Sequence, residues 1–266
     1  MANRYTHGHH ESVLASHRWR SAANSAAYLL PYLAPDHAIL DVGCGPGTIT
    51  LDLARLASRG HVVGLDNAAG AVTAAGEAAA RAGTPNVRFE CGDVMALPYE
   101  DGSFDVVHAH QVLQHLADPV AALKEMRRVC RPGGVVAARD ADYAAMSWAP
   151  DDPRLDRWQQ VYRRVALQNG AQPDAARHLL GWARTAGFRE VVPSAGVWCF
   201  ATQEDRDWWG STWARRIEES DLAEQAVGTG LADRGELADI AAAWRSWVND
   251  PDGWFCVVHG EVVCRA

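Results

Sequence analysis

The stretch ILDVGCGPGTIT combines residue types that could bind a charged ligand. An apolar run leads into Asp41, and glycines follow at Gly43, Gly45 and Gly47. Glycine lets a ligand approach the backbone closely, and the start of the helix that follows offers unpaired N–H groups to an anionic group. The spacing is G-x-G-x-G followed by Thr48, so a dinucleotide fits less well than it would in a G-x-G-x-x-G loop. Asp41 would repel a pyrophosphate and suits a ligand that carries an ammonium group.

Two further carboxylates follow strand-like runs downstream of this loop. Asp66 ends the run VVGLD, 23 residues after Gly43. A carboxylate at this position can accept hydrogen bonds from both hydroxyls of a ribose. Asp93 follows Gly92 at the end of a third run, where it could accept a hydrogen bond from an exocyclic amine while Val94 lies beside an adenine ring. The carboxyl ends of neighbouring parallel strands meet at one edge of an open α/β sheet, and such sheets bind ligands there.

Strand-like and helix-like segments alternate through the first half of the chain. The predicted strands cover residues 38–43, 62–66, 87–93, 104–110 and 135–142. The predicted helices between them cover residues 47–60, 67–83 and 118–134. Before them, residues 19–33 place apolar side chains on one helical face, although Pro31 forces a kink or an early end. Strands separated by helices predict a parallel sheet with right-handed crossovers.

The second half of the chain is organised differently. Its patterns predict helices over residues 154–170 and 174–188, an edge or bulged strand over 188–200, helices throughout 203–249 and a closing strand over 254–266. No linker-like stretch separates the halves, so the sequence predicts one domain, 1–266. Its expected parts are an N-terminal helix and lid (1–35), a ligand-binding core (36–142), the rest of the core (143–200), an inserted helical cap (201–253) and the last strand (254–266).

Composition argues against several classes of protein. The 266 residues carry a formal net charge of −8 and no Lys/Arg cluster, which argues against nucleic-acid binding through phosphate neutralisation. No apolar run reaches the ~18 residues of a membrane span, and the polar N-terminus lacks the apolar region of a signal peptide. The six cysteines are scattered without a C-x-x-C pair, which is typical of reduced thiols. We therefore expect a cytoplasmic protein with neither a nucleic-acid nor a membrane partner.

Several motifs occur in the order that one enzyme family shows. They are DVGCGPG, the strand-end Asp66, the triplet Gly92-Asp93-Val94, the run LPYEDGSFDVVHAHQVLQHLADP and RPGG, and they lie within residues 36–142. Together they resemble the class I S-adenosylmethionine-dependent methyltransferases, in particular the UbiE/COQ5-like (type 11) group that acts on small molecules. The resemblance implies an α/β fold with a doubly wound, mostly parallel seven-stranded sheet whose last strand is reversed.

The resemblance also implies S-adenosylmethionine as the cofactor. The implied cofactor residues lie at or just beyond the ends of the first four strands: Asp41, Gly43, Cys44, Gly45, Asp66, Asn67, Gly92, Asp93, Val94, His110 and Gln111. Asp41 and the glycine loop would hold the methionine end, and Asp66 would bind the ribose. Asp93 and Val94 would contact the adenine, and Asn67 the ribose or the adenine.

Methyl transfer requires alignment of the nucleophile, exclusion of water and, for a weak nucleophile, removal of a proton. His110 and Gln111 follow the fourth predicted strand and would face the methionine or sulfonium region. His110 is therefore one candidate base, and His115, at the start of the next helical segment, is another. The structural alternative for His115 is an N-terminal helix residue bonded to backbone.

Other titratable residues have competing interpretations. Asp140 and Asp142 follow the fifth predicted strand, where they are either catalytic or structural, as a helix cap or an ion-pair partner. The N-terminal histidines either fold over the cofactor as a lid or form a solvated tail: His7, His9, His10 and His17. The pattern H-x-H at His108 and His110 has metal-ligand geometry, but acidic and thiol ligands do not cluster beside it, so we predict no metal site.

Tryptophans concentrate beyond residue 195, in or beside the predicted cap. Helical spacing of Trp209 with Trp213, and of Trp244 with Trp247, favours helix–helix packing over a ligand pocket, although an aromatic lining would suit an apolar or planar acceptor. Apolar faces of the cap could also form a homodimer interface. Besides methyl transfer to O, N, C or S of a small molecule, two interpretations stay open. They are an NAD-dependent or nucleotide-sugar oxidoreductase and a non-catalytic protein that binds S-adenosylmethionine.

Overall fold

The computed structural model describes residues 19–266 of the chain. Its strands are β1 (Ala38–Val42), β2 (His61–Asp66), β3 (Val87–Cys91), β4 (Phe104–His110), β5 (Cys130–Ala141), β6 (Ser147–Ala149), β7 (Val191–Phe200) and β8 (Trp254–Arg265). Its α-helices are α1 (Ala22–Ser25), α2 (Thr48–Leu56), α3 (Ala69–Ala82), α4 (Pro119–Val129), α5 (Pro153–Gln168), α6 (Leu179–Thr185), α7 (Gln203–Glu219), α8 (Asp221–Gly228) and α9 (Arg234–Asn249). Four short 3-10 helices lie at Leu30–Tyr32, Leu113–His115, Tyr143–Ala145 and Ala175–His178.

The strands form one mixed sheet in the order β3-β2-β1-β4-β5-β8, with β7 on the far side of β8. The first five strands are parallel, and β8 runs antiparallel to both β5 and β7. This arrangement confirms the doubly wound, mostly parallel sheet with a reversed last strand. It has one strand more than the expected seven, because the first residues of β8 extend past β5 and pair there with the short β6.

Local chemistry moves several element boundaries away from the predicted ones. The helix predicted over 118–134 ends at Val129, because Pro132 and the glycines after it cannot continue a helix, and β5 begins at Cys130. The single helix expected over 19–33 is only α1 followed by a 3-10 helix that contains Pro31. The helical stretch 203–249 divides into α7, α8 and α9, and Ser220 ends the first and caps the second by accepting the Leu222 N–H.

Alternation along the strands gives the sheet two apolar faces. One face, which we call the α2 face, packs against α1, α2 and the residues between α1 and β1 through side chains such as Ile39, Val106 and Val135. The opposite face packs against α4 and α6 through the intervening positions, such as Leu40 and Val107. Towards the carboxyl ends of β4 and β5, the α2 face changes from apolar to polar.

The predicted cap is helical and shares an apolar core with α5, β7 and β8. The ring of Trp158 on α5 lies 4.6 Å from that of Trp213 and 5.0 Å from that of Trp244, both edge to face. All three side chains are fully buried. Most of the tryptophans of the cap therefore form helix–helix core, which decides between the two interpretations of their spacing.

Two further features concern the length of the helices and the state of the cysteines. Over residues 19–266, no helix is long and apolar enough to cross a bilayer. The six cysteines are all free thiols, and four of them are buried: Cys44, Cys130, Cys256 and Cys264.

Candidate active site

The loop between β1 and α2 is built from glycines in the left-handed region. Gly43, Gly45 and Gly47 have φ values of 66°, 52° and 81°. Gly43 has two reasons to be a glycine. Its φ is positive, and a Cβ at this position would overlap with Cγ2 of Val112. The loop turns back on β2, since the N–H groups of Gly43 and Cys44 both donate to the carbonyl of Leu65, at 2.7 and 3.1 Å.

Asp41 lies beneath this loop and is only 3% exposed. Its Oδ2 accepts a hydrogen bond from Thr50 Oγ1 at 2.6 Å, and its Oδ1 lies 2.7 Å from Nδ1 of His108. Both oxygens are thus held by neighbouring side chains. The carboxylate places a negative charge close below the loop, and its direct contact with a ligand ammonium stays a prediction.

Asp66 connects the end of β2 to the same loop. Its Oδ2 accepts from the Gly45 N–H and its Oδ1 from the Ala68 N–H, both at 2.9 Å. Because each carboxylate oxygen has two lone pairs, these bonds leave capacity for further donors such as hydroxyl groups. Asn67 is exposed at the start of the next turn.

The predicted adenine residues lie beyond β3 and not on it. The strand ends at Cys91, and Gly92 and Asp93 follow in the turn, where Oδ1 of Asp93 accepts the Met95 N–H at 2.9 Å. Asp93 is exposed, whereas Val94 is buried. Asp41, Asp66 and Asp93 therefore place three carboxylates along the carboxyl edge of β1, β2 and β3, beside the Gly43–Gly47 loop.

A second set of polar side chains lies on the α2 face beside this edge. The strand register places His110 of β4 level with Arg139 of β5, and Arg139 level with Glu261 of β8, and His259 lies two residues before Glu261. His108, His110, Arg139 and His259 are all at most 5% exposed. We call His110, Arg139, His259 and Glu261, with the indole of Trp198 that covers them, the polar cluster. The ring of Trp198 lies 4.3 Å from that of His259 and 5.6 Å from that of His110.

Gln111 links this cluster to the N-terminal segment. It is a non-glycine residue with a φ of 53°, a conformation that costs free energy and is common at functional sites. Its Oε1 accepts from Nη2 of Arg20 at 2.6 Å, and its Nε2 lies 2.8 Å from Nε2 of His259. Since the amide nitrogen must donate, Nε2 of His259 is the acceptor and the proton of that ring lies on Nδ1.

Several buried polar atoms of this region have no hydrogen-bond partner among residues 19–266. They are both ring nitrogens of His110, Nε2 of His108, Nδ1 of His259, Nη1 of Arg139, Oδ2 of Asp140 and the hydroxyl of Tyr28. Native proteins rarely leave such groups unsatisfied, and an accumulation of them calls for an explanation such as a ligand or ordered water.

Burial and neighbouring cations keep the histidines of the cluster neutral. Burial lowers the pKa of His110 well below its usual value, and the charges of Arg20 and Arg139 lower it further. Burial lowers the pKa of His259 in the same way, and Arg139 and Arg20 add to the effect. Burial, together with Arg20, lowers the pKa of His115 to about 3.

The remaining predicted residues have structural partners or lie outside the described chain. His115 belongs to a 3-10 helix rather than the start of α4, and its Nε2 lies 3.1 Å from Nε2 of Gln114. Asp142 caps the next 3-10 helix and forms an ion pair with Arg177 at 2.6 Å, which is its structural interpretation. The N-terminal histidines precede residue 19 and lie outside the described residues. Among residues 19–266, no group of three metal-ligating side chains is present.

The sequence analysis did not single out His259 or Glu261. Both lie in β8, where they are polar residues at alternate positions of an otherwise apolar strand, WFCVVHGEVVCR. That period of two was the available signal, because it puts both side chains on one face of the sheet. Their neighbours on β4 and β5 are more than 100 residues away in the chain, so only the strand order brings the cluster together.

Comparison with known proteins identifies the family. A family model described as a methyltransferase domain matches residues 33–210. An uncharacterized methyltransferase of Schizosaccharomyces pombe is 35% identical over 269 residues, which cover 98% of this chain and 96% of the relative. The chain belongs to the class I S-adenosylmethionine-dependent methyltransferases.

A partial relative and a solved structure show further similarity in sequence and in fold. A demethylmenaquinone methyltransferase of Beutenbergia cavernae is 37% identical over 167 residues, 61% of this chain and 66% of the relative. A solved structure of Haemonchus contortus phosphoethanolamine N-methyltransferase 2 in complex with S-adenosyl-L-methionine shares the fold, with a TM-score of 0.54 and 17% identity over 90% of this chain and 51% of the other. Family membership replaces the oxidoreductase interpretation and makes S-adenosylmethionine the cofactor.

The residues present fit this cofactor. The glycine loop provides a backbone cradle at the start of α2, with the Asp41 carboxylate below it to attract an ammonium group. Asp66 offers acceptor capacity for hydroxyl groups at the next strand. The neutral His110 and the amide of Gln111 lie at the end of β4, on the side where the polar cluster begins.

Proposed function

We propose that the protein methylates a small-molecule acceptor, at O, N, C or S, that binds beside His110 on the α2 face. When bound, the cofactor supplies an electrophilic methyl group on a sulfonium. The glycine loop with Asp41 would hold its methionine end, Asp66 and Asn67 its ribose, and Asp93 with Val94 its adenine. The observation that carries the proposal is the set of unpartnered buried polar atoms next to the loop, because a bound acceptor would give them partners.

The roles of the protein are alignment and exclusion of water. Trp198 and the N-terminal segment that bears Arg20 cover the polar cluster, so an acceptor beside His110 would be shielded from bulk water. A site of this kind holds the nucleophile in line with the methyl carbon, which can lower the barrier by ~7–11 kcal/mol. The buried location favours a small acceptor over a macromolecule, and the net charge of −8 disfavours nucleic acid.

Of the two candidate bases, His110 has the better placement. Both of its ring nitrogens are unpartnered within residues 19–266, so either could accept a hydrogen bond from an acceptor hydroxyl. Burial and the nearby arginines lower its pKa, which keeps the imidazole neutral but also makes it a weak base, so the role that the structure favours for His110 is to orient the acceptor and only secondarily to take up its proton. His115 lies against Gln114 and is assigned no such role. We also infer a cytoplasmic location from the free cysteines.

The first test measures cofactor binding and turnover separately. Calorimetry with S-adenosylmethionine should detect binding, and a metabolite panel should yield S-adenosylhomocysteine. Asp66→Asn should weaken cofactor binding by ~1.5–3 kcal/mol, because a charge-assisted acceptor is lost. His110→Asn should lower kcat by about 10²- to 10⁴-fold in a folded protein that still binds the cofactor.

Arg55→Gln, at an exposed position on α2, is the matched control and should leave both quantities unchanged. Melting curves of each variant would separate loss of the fold from loss of binding. A folded protein that binds no S-adenosylmethionine would contradict the proposed function. Full turnover in His110→Asn would leave alignment alone as the mechanism.

A further inference from the structure

Arg139 is a buried cation whose buried Nη1 has no hydrogen-bond partner among the residues that the structure describes. The side chain lies on β5 and is 2% exposed. Its Nε donates to Oε1 of Glu261 at 3.1 Å, and its guanidinium stacks on the ring of Trp198 at 4.9 Å. Its Nη1 has no hydrogen-bond partner among residues 19–266. Since a buried charged donor without a partner is costly, a ligand oxygen at Nη1 would stabilise this arrangement.

Glu261 binds Nε of Arg139 but leaves Nη1 without a partner. Its Oε1 accepts from Arg139, and its Oε2 accepts from the hydroxyl of Ser194 at 2.7 Å. Both oxygens therefore have partners before any ligand binds. The Arg139–Glu261 pair therefore has one kind of group left for a ligand, the N–H of the guanidinium. A ligand oxygen can accept from it, whereas a ligand donor finds no acceptor.

A cleft leads to this arginine from the outside. It has a volume of about 340 Å³ and lies between the N-terminal segment around α1 and the edge strand β7. The side chains that give it its chemistry are Trp19, Asn24, Ser25, Arg139, Trp198 and Glu261. Because a cavity of ~150 Å³ accommodates benzene, this volume fits one or two planar rings. The indoles of Trp19 and Trp198, whose ring centroids lie 5.1 Å apart in an edge-to-face arrangement, form an aromatic wall of the cleft.

Two guanidinium groups lie beside Trp198. The guanidinium of Arg20 lies 5.6 Å from the Trp198 ring, on which Arg139 also stacks. Glu261 carries a negative charge beside them, whereas His110 and His259 are neutral. Asp140, at the end of β5, is also uncharged at neutral pH, because burial raises its pKa to about 8. Arg139 is paired with Glu261, and Arg20 is bonded to Gln111, so these groups offer a guest the unpartnered N–H of the Arg139 guanidinium rather than a net charge.

We propose that this cleft is the acceptor subsite, and that it binds a planar acceptor through an anionic oxygen group, a carboxylate or an acidic hydroxyl, which accepts from Nη1 of Arg139. The inference rests on the proposed function and adds the substrate class to it. His110 does not line the cleft, but Trp198 does, and its ring lies 5.6 Å from that of His110, so an acceptor anchored at Arg139 would extend past this indole to reach the methyl group.

The test uses matched charged and neutral probes, 4-hydroxybenzoate against 4-hydroxybenzamide and 2-naphthoate against 2-naphthamide. Each is titrated by calorimetry into the full chain saturated with S-adenosylhomocysteine. We expect the protein to bind at least one carboxylate about tenfold or more tightly than its amide, as for a charge-assisted hydrogen bond. The preference should weaken at high salt.

Two variants assign that preference to Arg139. Removing one partner of a buried ion pair destabilises the fold, so Arg139→Gln is combined with Glu261→Gln, which keeps a hydrogen-bonded pair without charge. In this double variant the carboxylate and the amide should bind within about twofold of each other. Arg265→Gln, at an exposed arginine of the same strand as Glu261, should keep the preference.

The outcomes separate this inference from the proposed function. Normal binding of S-adenosylhomocysteine without any preference for the carboxylates overturns the subsite and leaves methyl transfer intact. If the double variant keeps the preference for carboxylates, Arg139 is not its cause and the subsite is overturned. If the double variant loses affinity for S-adenosylhomocysteine, Arg139 serves the cofactor and the subsite is overturned as well. Failure of the wild-type protein to bind S-adenosylhomocysteine overturns the proposed function itself.

Discussion

The carboxyl group of Asp140 shows how strongly one residue can respond to its position. The side chain is fully buried at the end of β5, where Oδ1 accepts the Gln114 N–H at 3.0 Å and Oδ2 has no partner within residues 19–266. Burial raises its pKa from 3.8 to about 8. The folded protein therefore keeps a proton on this carboxyl up to about pH 8, which the unfolded chain releases near pH 4.

This difference predicts a pH-dependent stability. Because the folded state binds the extra proton between about pH 4 and pH 8, the contribution of Asp140 to the free energy of unfolding falls as the pH rises, by at most ~1.4 kcal/mol per pH unit. Asp140→Asn keeps the Oδ1 acceptor and removes the titration. Urea denaturation from pH 5 to pH 8 should show the variant gaining stability over wild type with each step. A constant difference over that range would contradict the raised pKa.

Single residues could be predicted from sequence where a motif fixes their place. The glycine loop, Asp41 and Asp66 follow strand ends, and the structure places them at one sheet edge as expected. What the sequence did not give is the state of each side chain, such as the two partners that already hold the Asp41 carboxylate. Those partners depend on tertiary neighbours, His108 among them, that no local pattern specifies.

At the scale of the element, the β1–α2 turn depends on backbone conformation more than on side chains. Gly43→Ala should weaken S-adenosylmethionine binding and stability by ~1–3 kcal/mol each, because φ is positive there and the methyl group would displace Val112. Gly83→Ala is the control, since Gly83 also has a positive φ but faces open space at the end of α3.

Calorimetry and thermal unfolding of both variants would check this. Gly83→Ala should lower the melting temperature without changing cofactor affinity, whereas Gly43→Ala should change both. Wild-type affinity in a folded Gly43→Ala protein would show that the turn tolerates a side chain and does not shape the cofactor site.

At the same scale, the boundaries of elements were predicted less accurately than their existence. The sequence placed β4 correctly over 104–110, but it extended the helix before β5 to residue 134, five residues beyond its end at Val129. The residues that break this helix, Pro132 and the glycines after it, instead belong to β5. Pro132 and the glycines after it exclude a longer helix, and the pairing of Cys130 with Phe104 of β4, which lies outside any local window, places the boundary at Val129.

At the scale of the whole molecule, the tryptophan core predicts that cap and sheet unfold together. Trp213→Ala should cost ~3–5 kcal/mol, because the ring is fully buried against Trp158 and Trp209. Trp254→Ala is the control, since that side chain is 38% exposed and should cost much less. The prediction of one domain requires that fluorescence and far-UV circular dichroism report a single transition in both variants. Two separate transitions would make the cap an independent unit.

The order of the strands has a consequence for how the protein is made. β8 lies inside the sheet between β5 and β7, and its residues pair with partners such as Val135, which precedes Arg265 by 130 positions. A nascent chain lacks the strand that joins β5 to β7, and with it His259 and Glu261, until residues 254–265 have left the ribosome. Because synthesis proceeds at ~5–20 residues per second, β8 follows β5 only after several seconds. During that time the unpaired edge of β5 is exposed to chaperones and to other chains.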